Sequence, residues 1–183
     1  DGSTDDTLQI VQKLKFPVVT HVLNRGLGAS IKTGMEVART TGTDVMVTFD
    51  SDGQHSPIDL KKVINVQIEC NADLVIGSRF LQKQKTPLDR FILNKMASLL
   101  TFILFGVYSS DSQSGLRVFS KKALNLIDFK GDRMDFSSEI LLEAKKHNLK
   151  IVETPIKAIY TSYSRKKGQQ NSNAFPIFLK FLV

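Results

Sequence analysis

Cysteine is almost absent from this sequence. Its 183 residues include one, Cys70, so no disulfide can form within the chain and a reducing compartment is favoured. Disorder is disfavoured too, because 42% of the residues are hydrophobic and 23% are charged, the usual balance of a folded protein. Internal repeats and a clear linker are lacking, so we interpret residues 1–183 as one domain with its own core.

Acidic residues are missing from 156–183. The same stretch contains five basic residues, which are Lys157, Arg165, Lys166, Lys167 and Lys180. Such a segment indicates an anionic partner, which could be nucleic acid, anionic lipid or a phosphorylated substrate. Aromatic residues are not interleaved with the basic ones and no nucleic-acid-reading motif accompanies them, so nucleic acid is disfavoured. A solvated loop is the simplest interpretation of Lys166 and Lys167, and steering of an anionic acceptor or membrane is the functional one.

A long uninterrupted apolar run is also lacking. Residues 91–107 are mostly apolar but include Asn94 and Lys95, so a buried or interfacial helix is favoured over a membrane span. The end of the sequence, 174-AFPIFLKFLV-183, is apolar, and its start, 1-DGSTDDT-7, has no methionine. Both ends lead us to expect a fragment of a longer protein.

Strands and helices alternate along the sequence. Short runs rich in β-branched and aliphatic residues predict strands at 18–24, 45–49, 72–76, 118–119 and 151–154. Apolar residues at helical spacing predict helices at 29–40, 121–127 and 136–147, and Ser56-Pro57 predicts the start of another. The alternation predicts an α/β fold with a mostly parallel sheet flanked by helices.

The motif 50-DSDGQHSP-57 follows a predicted strand. In an open α/β sheet, ligands bind at the carboxyl ends of the strands. Asp50 and Asp52 could hold Mg²⁺ or Mn²⁺, which prefer oxygen ligands and often keep substrate phosphates, and Gln54 could add a carbonyl oxygen. An ordinary strand-end turn explains the same residue types, because Asp and Gly are common in turns. His55 is expected to be partly exposed and is not counted among the ligands.

Six motifs give the sequence a family resemblance. They are 1-DGSTDDT-7, 24-NRGLGAS-30, 50-DSDGQHSP-57, 77-GSRF-80, 111-DSQSGLRVFS-120 and 153-ETPI-156. Their order and spacing resemble those of family 2 glycosyltransferases, most of all the polyprenyl-phosphate (dolichyl-phosphate) sugar synthases. The resemblance implies a GT-A fold, a nucleoside-diphosphate sugar donor, a Mg²⁺ or Mn²⁺ ion and inversion at the anomeric carbon. It also implies that the family's first strand and helix, about 30 residues, precede this sequence, so that the sheet is N-terminally truncated.

The resemblance assigns roles to individual residues. The implied donor-binding residues are Asp1, Arg25, Gly26, Gly28, Asp50, Ser51 and Asp52, and the implied metal ligands are Asp50, Asp52 and Gln54. Arg79, Ser114 and Arg117 match positions near the acceptor phosphate. The implied partners are a nucleotide sugar, a lipid phosphate and the surface of a membrane, at its cytoplasmic face.

Three functions remain open at this point. A lipid phosphate acceptor is already mostly ionised at neutral pH and needs little help from a base. A sugar hydroxyl acceptor needs a base, for which Asp111 is the candidate. The third hypothesis is a non-catalytic module that binds a nucleotide sugar or a membrane. A nucleotidyltransferase is disfavoured by the Asp-x-x-Ser-Gly-x-Arg stretch.

Overall fold

The computed structural model describes residues 1–82, 86–131 and 136–159. The basic residues Arg165, Lys166 and Lys167 and the apolar run 174–183 lie outside the described residues. The helices are α1 (Thr7–Lys13), α2 (Leu27–Thr40), α3 (Pro57–Cys70), α4 (Leu88–Phe105), α5 (Lys121–Leu126) and α6 (Phe136–Lys146). The strands are β1 (Val45–Thr48), β2 (Leu74–Ser78), β3 (Arg117–Ser120) and β4 (Ile151–Pro155).

The four strands form one sheet in the order β1-β3-β2-β4. Strand β3 runs antiparallel to both β1 and β2, whereas β2 and β4 are parallel. Three strands therefore point in the same direction, and β3 is inserted between them in the opposite direction. Two of the three neighbouring pairs are antiparallel, so the sheet is mixed and not mostly parallel as predicted. The predicted buried parallel strand at 45–49 is instead a half-buried strand with antiparallel pairing.

Both faces of the sheet carry a core. One cluster packs α2, α5 and α6 around Leu74, Ile76 and Phe119, and the other packs α3 against Val75, Val118 and Ile156. Helix α3 begins as the sequence predicts, because Ser56 Oγ accepts a hydrogen bond from Ile58 N and Pro57 occupies the first turn. The α/β class is confirmed by this layered arrangement.

The predicted strand at 18–24 does not form among the described residues. Val22 is 94% exposed and Leu23 is 75% exposed, and the segment pairs with none of the four strands. β-Branched residues favour an extended backbone, but that backbone becomes a strand only where a neighbour supplies hydrogen bonds. His21 O accepts one such bond, from Gly2 N at 3.0 Å. The helix α1 was not predicted.

One carboxylate links three strands at the edge of the sheet that lies away from the predicted site. Asp73, just before β2, accepts hydrogen bonds from Lys150 N, Lys122 Nζ and Ser120 Oγ. Desolvation raises the pKa of Asp73, but these hydrogen bonds and the charge of Lys122 outweigh it, so the pKa is lowered overall. The ionised carboxylate thus helps to fix the edge of the sheet that lies away from the predicted site.

Candidate active site

The topology brings the predicted site residues to one edge of the sheet. Thr48, at the end of β1, and Ile76, near the end of β2, both pair with Arg117, the first residue of β3. Because β3 runs in the opposite direction, the loop that leads into it lies beside the carboxyl ends of β1 and β2. The Asp-x-Asp motif, Arg79 and the 111–116 loop therefore meet at that edge, where an open α/β sheet binds its ligands.

The turn that carries the Asp-x-Asp motif is shaped by its own residues. Asp52 Oδ1 accepts a hydrogen bond from Gln54 N at 2.9 Å, the local bond expected of an aspartate in a turn. Gly53 between them has a φ of 80°, which favours glycine. Gln54 O accepts from Ile159 N at 3.0 Å, which ties the turn to the segment after β4. Ser51 is exposed.

Asp50 lies between a histidine and a glycine. His55 Nε2 is 3.5 Å from Asp50 Oδ2, and the Asp50 side chain is 43% exposed. On the other side, a Cβ built on Gly115 would overlap Asp50 Oδ2. His55 itself is buried, at 8% exposure, which corrects the expectation of a partly exposed side chain. Its Nδ1 has no hydrogen-bond partner among the described residues.

Asp111 and Arg79 form a buried ion pair. Asp111 is 0% exposed. Its Oδ2 accepts from Arg79 Nε at 2.7 Å and from Arg79 N at 3.1 Å, and its Oδ1 accepts from Arg79 Nη2 at 2.7 Å. Both carboxylate oxygens are therefore held by one guanidinium in the bidentate geometry that is strongest for such pairs. A base needs an oxygen that can reach the acceptor proton, so the role of Asp111 as a base stays a prediction that would require Arg79 to move.

Ser114 and Arg117 donate their hydrogen bonds to backbone oxygens. Ser114 Oγ donates to Gly77 O at 2.5 Å. The Arg117 side chain, 2% exposed, donates to the backbone oxygens of Ser112 at 2.6 Å, Ser114 at 3.0 Å and Ser137 at 3.0 Å. Both residues are buried with their donors turned toward the protein backbone. In this structure they hold the 111–117 loop together, and contact of either residue with the acceptor phosphate stays a prediction.

Arg117 also adds positive charge behind the site. Burial lowers the pKa of its guanidinium to about 10, and the negative charges of Asp111 and Asp50 offset that effect only in part. Arg117 therefore remains a cation at neutral pH.

Comparison with known proteins decides the family. The model of the family described as "Glycosyl transferase family 2" matches residues 1–127. The chain belongs to the family 2 glycosyltransferases.

Relatives of this glycosyltransferase cover its whole chain. An uncharacterised protein of Methanocaldococcus jannaschii is 42% identical over 188 residues, which span 100% of this chain and 77% of that protein. The UDP-N-acetylglucosamine–dolichyl-phosphate N-acetylglucosaminyltransferase of Methanococcus voltae is 38% identical over 205 residues, which span 100% of this chain and 82% of that enzyme.

Solved structures confirm the GT-A fold of the glycosyltransferase. Glucosyl-3-phosphoglycerate synthase from Mycobacterium tuberculosis, in complex with phosphoglyceric acid, aligns with a TM-score of 0.61 at 17% identity. The same synthase with Mn²⁺, uridine-diphosphate-glucose and phosphoglyceric acid aligns with a TM-score of 0.59 at 16% identity. The alignments cover 98% of this chain and 66% and 65% of the synthase chains, so this chain spans about two thirds of that enzyme.

The first motif of the glycosyltransferase is joined to its second. Asp1 Oδ1 accepts from Arg25 N and Asp1 Oδ2 accepts from Gly26 N, both at 2.9 Å. Gly26, with a φ of 94°, precedes α2, and Gly28 is buried in its first turn. Asp1 also lies 2.8 Å from His21 Nδ1. The carboxylate thus holds the glycine loop in place, and direct contact of Asp1, Arg25, Gly26 and Gly28 with a donor stays a prediction.

The donor set of the Asp-x-Asp turn fits a divalent cation that shares its ligands with a substrate. Among the described residues, no group of three His, Cys, Asp or Glu side chains could hold a metal ion by itself. Two carboxylates and the Gln54 amide are oxygen donors of the kind that Mg²⁺ prefers, and Mg²⁺ commonly uses one or two carboxylates together with substrate phosphates. The exposed Asp50 carboxylate is accessible to such a substrate.

Two features of the site escaped sequence reasoning. The burial of His55 beside Asp50 depends on the path of the turn, which a single sequence does not reveal. The contact of Gly115 with Asp50 joins motifs that lie far apart in the chain. The sequence did carry a signal for this contact, since a glycine in the Ser-Gly-x-Arg stretch indicates a close approach to another group. The sequence did not identify that group as Asp50.

Proposed function

We propose that this glycosyltransferase moves a sugar from a UDP- or GDP-linked donor to the phosphate of a polyprenyl or dolichyl phosphate, with inversion at the anomeric carbon. The observation that carries the proposal is the meeting of the Asp-x-Asp turn with the 111–117 loop at the carboxyl edge of the sheet. The dolichyl-phosphate acceptor and UDP-sugar donor in the name of the Methanococcus voltae relative support it.

Asp50 and Asp52, with the Gln54 amide, would hold Mg²⁺ or Mn²⁺. The cation would neutralise charge on the leaving nucleoside diphosphate. The presence of Mn²⁺ with a uridine-diphosphate sugar in the structurally similar synthase supports this assignment. An acceptor oxygen would form a bond to the anomeric carbon while the bond from that carbon to the diphosphate breaks, and the electron pair would leave with the nucleoside diphosphate.

A phosphate acceptor suits the ion pair between Asp111 and Arg79. The second pKa of a phosphate monoester is about 6, so the attacking oxygen is already ionised at neutral pH and needs no base. A hydroxyl acceptor would need the Asp111 carboxylate, both of whose oxygens accept from Arg79. Arg79 lies at the carboxyl end of β2 with its side chain 14% exposed, and we keep it as a candidate contact for the acceptor phosphate.

Replacing Asp111 with asparagine tests whether its carboxylate holds Arg79 or acts as a base. Because the substitution breaks a buried ion pair, we expect the free energy of unfolding to fall by about 3 kcal/mol, and transfer to the lipid phosphate to fall only as the folded fraction falls. Chemical denaturation and transfer assays measure both quantities. Asp128→Asn is the matched control, because Asp128 pairs with Lys32 at an exposed position and should change little. Loss confined to a hydroxyl acceptor, with stability retained, would restore Asp111 as a base.

Helix α4 supports a membrane surface as partner. Five of its large apolar side chains form an exposed stripe, and the small polar side chains Ser98 and Thr101 are buried. The stripe consists of Leu88, Ile92, Met96, Leu99 and Ile103. On the buried face, Ser98 Oγ donates to Ser112 Oγ and Thr101 Oγ1 contacts Ser138 Oγ. No helix in the described ranges is long and apolar enough to cross a bilayer. An exposed apolar stripe on a helix is typical of an interfacial surface, and we assign it to the cytoplasmic face of the membrane.

Charge placed on the stripe should weaken vesicle binding. We expect Leu99→Glu with Ile103→Glu to reduce binding of the full-length protein to phosphatidylcholine–phosphatidylglycerol vesicles at least about tenfold, because each buried apolar side chain contributes on the order of 1.5–3 kcal/mol. Flotation measures the bound fraction. Ile68→Glu is the control, since Ile68 is as exposed as Ile103, at 65%, but lies on α3. Equal vesicle binding by the unmodified protein, the double variant and the Ile68→Glu control would show that α4 does not contact the membrane.

A donor and acceptor panel tests the proposed function. The full-length protein would be given Mg²⁺ or Mn²⁺, UDP- and GDP-sugars, and either a short polyprenyl phosphate or a glycan, with release of nucleoside diphosphate as the readout. Release that requires both the lipid phosphate and the metal is the expected result. Release with a glycan alone would make the enzyme a glycan-directed transferase. Binding of nucleotide without release would favour a non-catalytic module.

A further inference from the structure

Gly115 and Asp50 approach each other more closely than a side chain at 115 allows. A Cβ built on Gly115 would lie 2.9 Å from Asp50 Cγ and 3.2 Å from Oδ1, and would overlap Oδ2. Gly115 is not among the residues with positive φ, so its backbone conformation suits any residue. Space beside the Asp50 carboxylate is therefore what the glycine provides.

The Gly115 backbone is fixed from several directions. Thr48 Oγ1, at the end of β1, donates to Gly115 O at 2.7 Å and accepts from Arg117 N at 3.2 Å. Ser114 Oγ donates to Gly77 O at 2.5 Å in the neighbouring strand. These bonds join the loop to both β1 and β2. A shift of the loop could relieve the overlap between a methyl group at 115 and the Asp50 carboxylate only by breaking these hydrogen bonds.

The Asp50 side chain can move away from a methyl group at 115. Its side chain is 43% exposed, and His55 Nε2 lies 3.5 Å from its Oδ2 on the other side. Rotation toward solvent removes the overlap at little cost to the fold, but it takes the carboxylate away from its place beside the 111–117 loop.

We propose that Gly115 is a positioning residue for the metal site: the missing side chain at 115 admits the Asp50 carboxylate and sets the direction from which it meets the cation. The inference rests on the proposed metal site at Asp50 and Asp52. It joins the Ser-Gly-x-Arg stretch to the Asp-x-Asp motif by a steric contact, with no direct contact between Gly115 and the substrate.

Gly115→Ala in the full-length protein is the first test. We expect the affinity for Mn²⁺–UDP or Mn²⁺–GDP, whichever the unmodified protein binds, to fall about tenfold or more, the range found when groups that orient metal ligands are changed. Calorimetry measures the affinity, and thermal melting should show a folded protein. Gly34→Ala is the matched control, because the one described atom that its added methyl group would meet is Met46 Cε, at an ordinary 3.4 Å.

A double-mutant cycle separates positioning from general damage. If Gly115 acts through Asp50, then Gly115→Ala should have no further effect on affinity or melting temperature in an Asp50→Ala background, because the overlapping carboxylate is gone. The double variant should fold even if the single variant does not. Mn²⁺–nucleotide affinity unchanged by Gly115→Ala, or an equal loss in both backgrounds, would overturn the inference while leaving the proposed function intact. Metal-dependent binding that Asp50→Ala does not weaken would refute the proposed site, and the inference with it.

Discussion

Asp52→Asn in the full-length enzyme is expected to lower kcat for sugar transfer by at least about 10³-fold. Loss of one group that stabilises transition-state charge typically costs 10²–10³-fold, and here the group would also hold the cation that neutralises the leaving diphosphate. Asparagine keeps an oxygen that can accept from Gln54 N, as Asp52 Oδ1 does at 2.9 Å. The turn should therefore survive, and the loss should reflect the missing charge. Initial rates at saturating donor, with and without added Mn²⁺, measure the effect.

Asp52→Ala and Asp44→Asn are the companion variant and the control for the Asp52→Asn experiment. The alanine variant removes both charge and turn hydrogen bond, so we expect the same loss of transfer with an added loss of stability. Asp44, just before β1, has a highly exposed carboxylate that pairs with Lys121. Neutralising Asp44 should leave transfer unchanged. Most of the activity remaining in Asp52→Asn would remove Asp52 from the metal site.

Arg117→Met is expected to lower the free energy of unfolding by about 3–5 kcal/mol. The substitution leaves three buried carbonyl oxygens, those of Ser112, Ser114 and Ser137, without their donor, and each unsatisfied group costs about 1–3 kcal/mol. It also removes the buried cation near Asp50 and Asp111. Urea denaturation of the full-length protein at neutral pH measures the change.

Arg117→Lys is the variant that separates charge from geometry. Lysine keeps the positive charge but has a single ammonium group in place of the planar guanidinium, so it cannot replace donors that point to three carbonyls. We therefore expect Arg117→Lys to recover less than half of the lost stability. A fully stable Arg117→Met protein with impaired acceptor use would contradict the structural role and return Arg117 to the acceptor site.

Local signals predicted much of the fold. Ser56 and Pro57 identified the start of α3 because a cap and a first-turn proline act within a few residues. The apolar runs before Asp50 and Arg79 identified β1 and β2, and the rule that ligands bind at carboxyl strand ends then predicted that the motifs after these strands share one edge of the sheet, as they do. The segment 18–24 shows the limit, because its composition favours an extended backbone whereas pairing depends on a neighbouring strand.

The roles of charged and polar side chains were harder to predict. Arg79, Asp111 and Arg117 lie in motifs that indicate a site, but sequence does not tell whether a guanidinium faces a ligand or the backbone. In the structure, Arg117 is buried against carbonyl oxygens and Arg79 holds Asp111. Gly115 illustrates the same limit, since its partner Asp50 is 65 positions away in the sequence.

The product of transfer tests the central claim most directly. The full-length enzyme would be incubated with a radiolabelled UDP- or GDP-sugar, Mg²⁺ or Mn²⁺ and a short polyprenyl phosphate, and the lipid would be extracted. We predict that label enters the lipid only with the phosphate group and metal present, that mild acid releases it as expected for a glycosyl phosphate, and that Asp52→Asn prevents it. Label that enters a polyprenol without phosphate equally well, or that stays in the water-soluble fraction while a glycan acceptor is extended, would contradict the account.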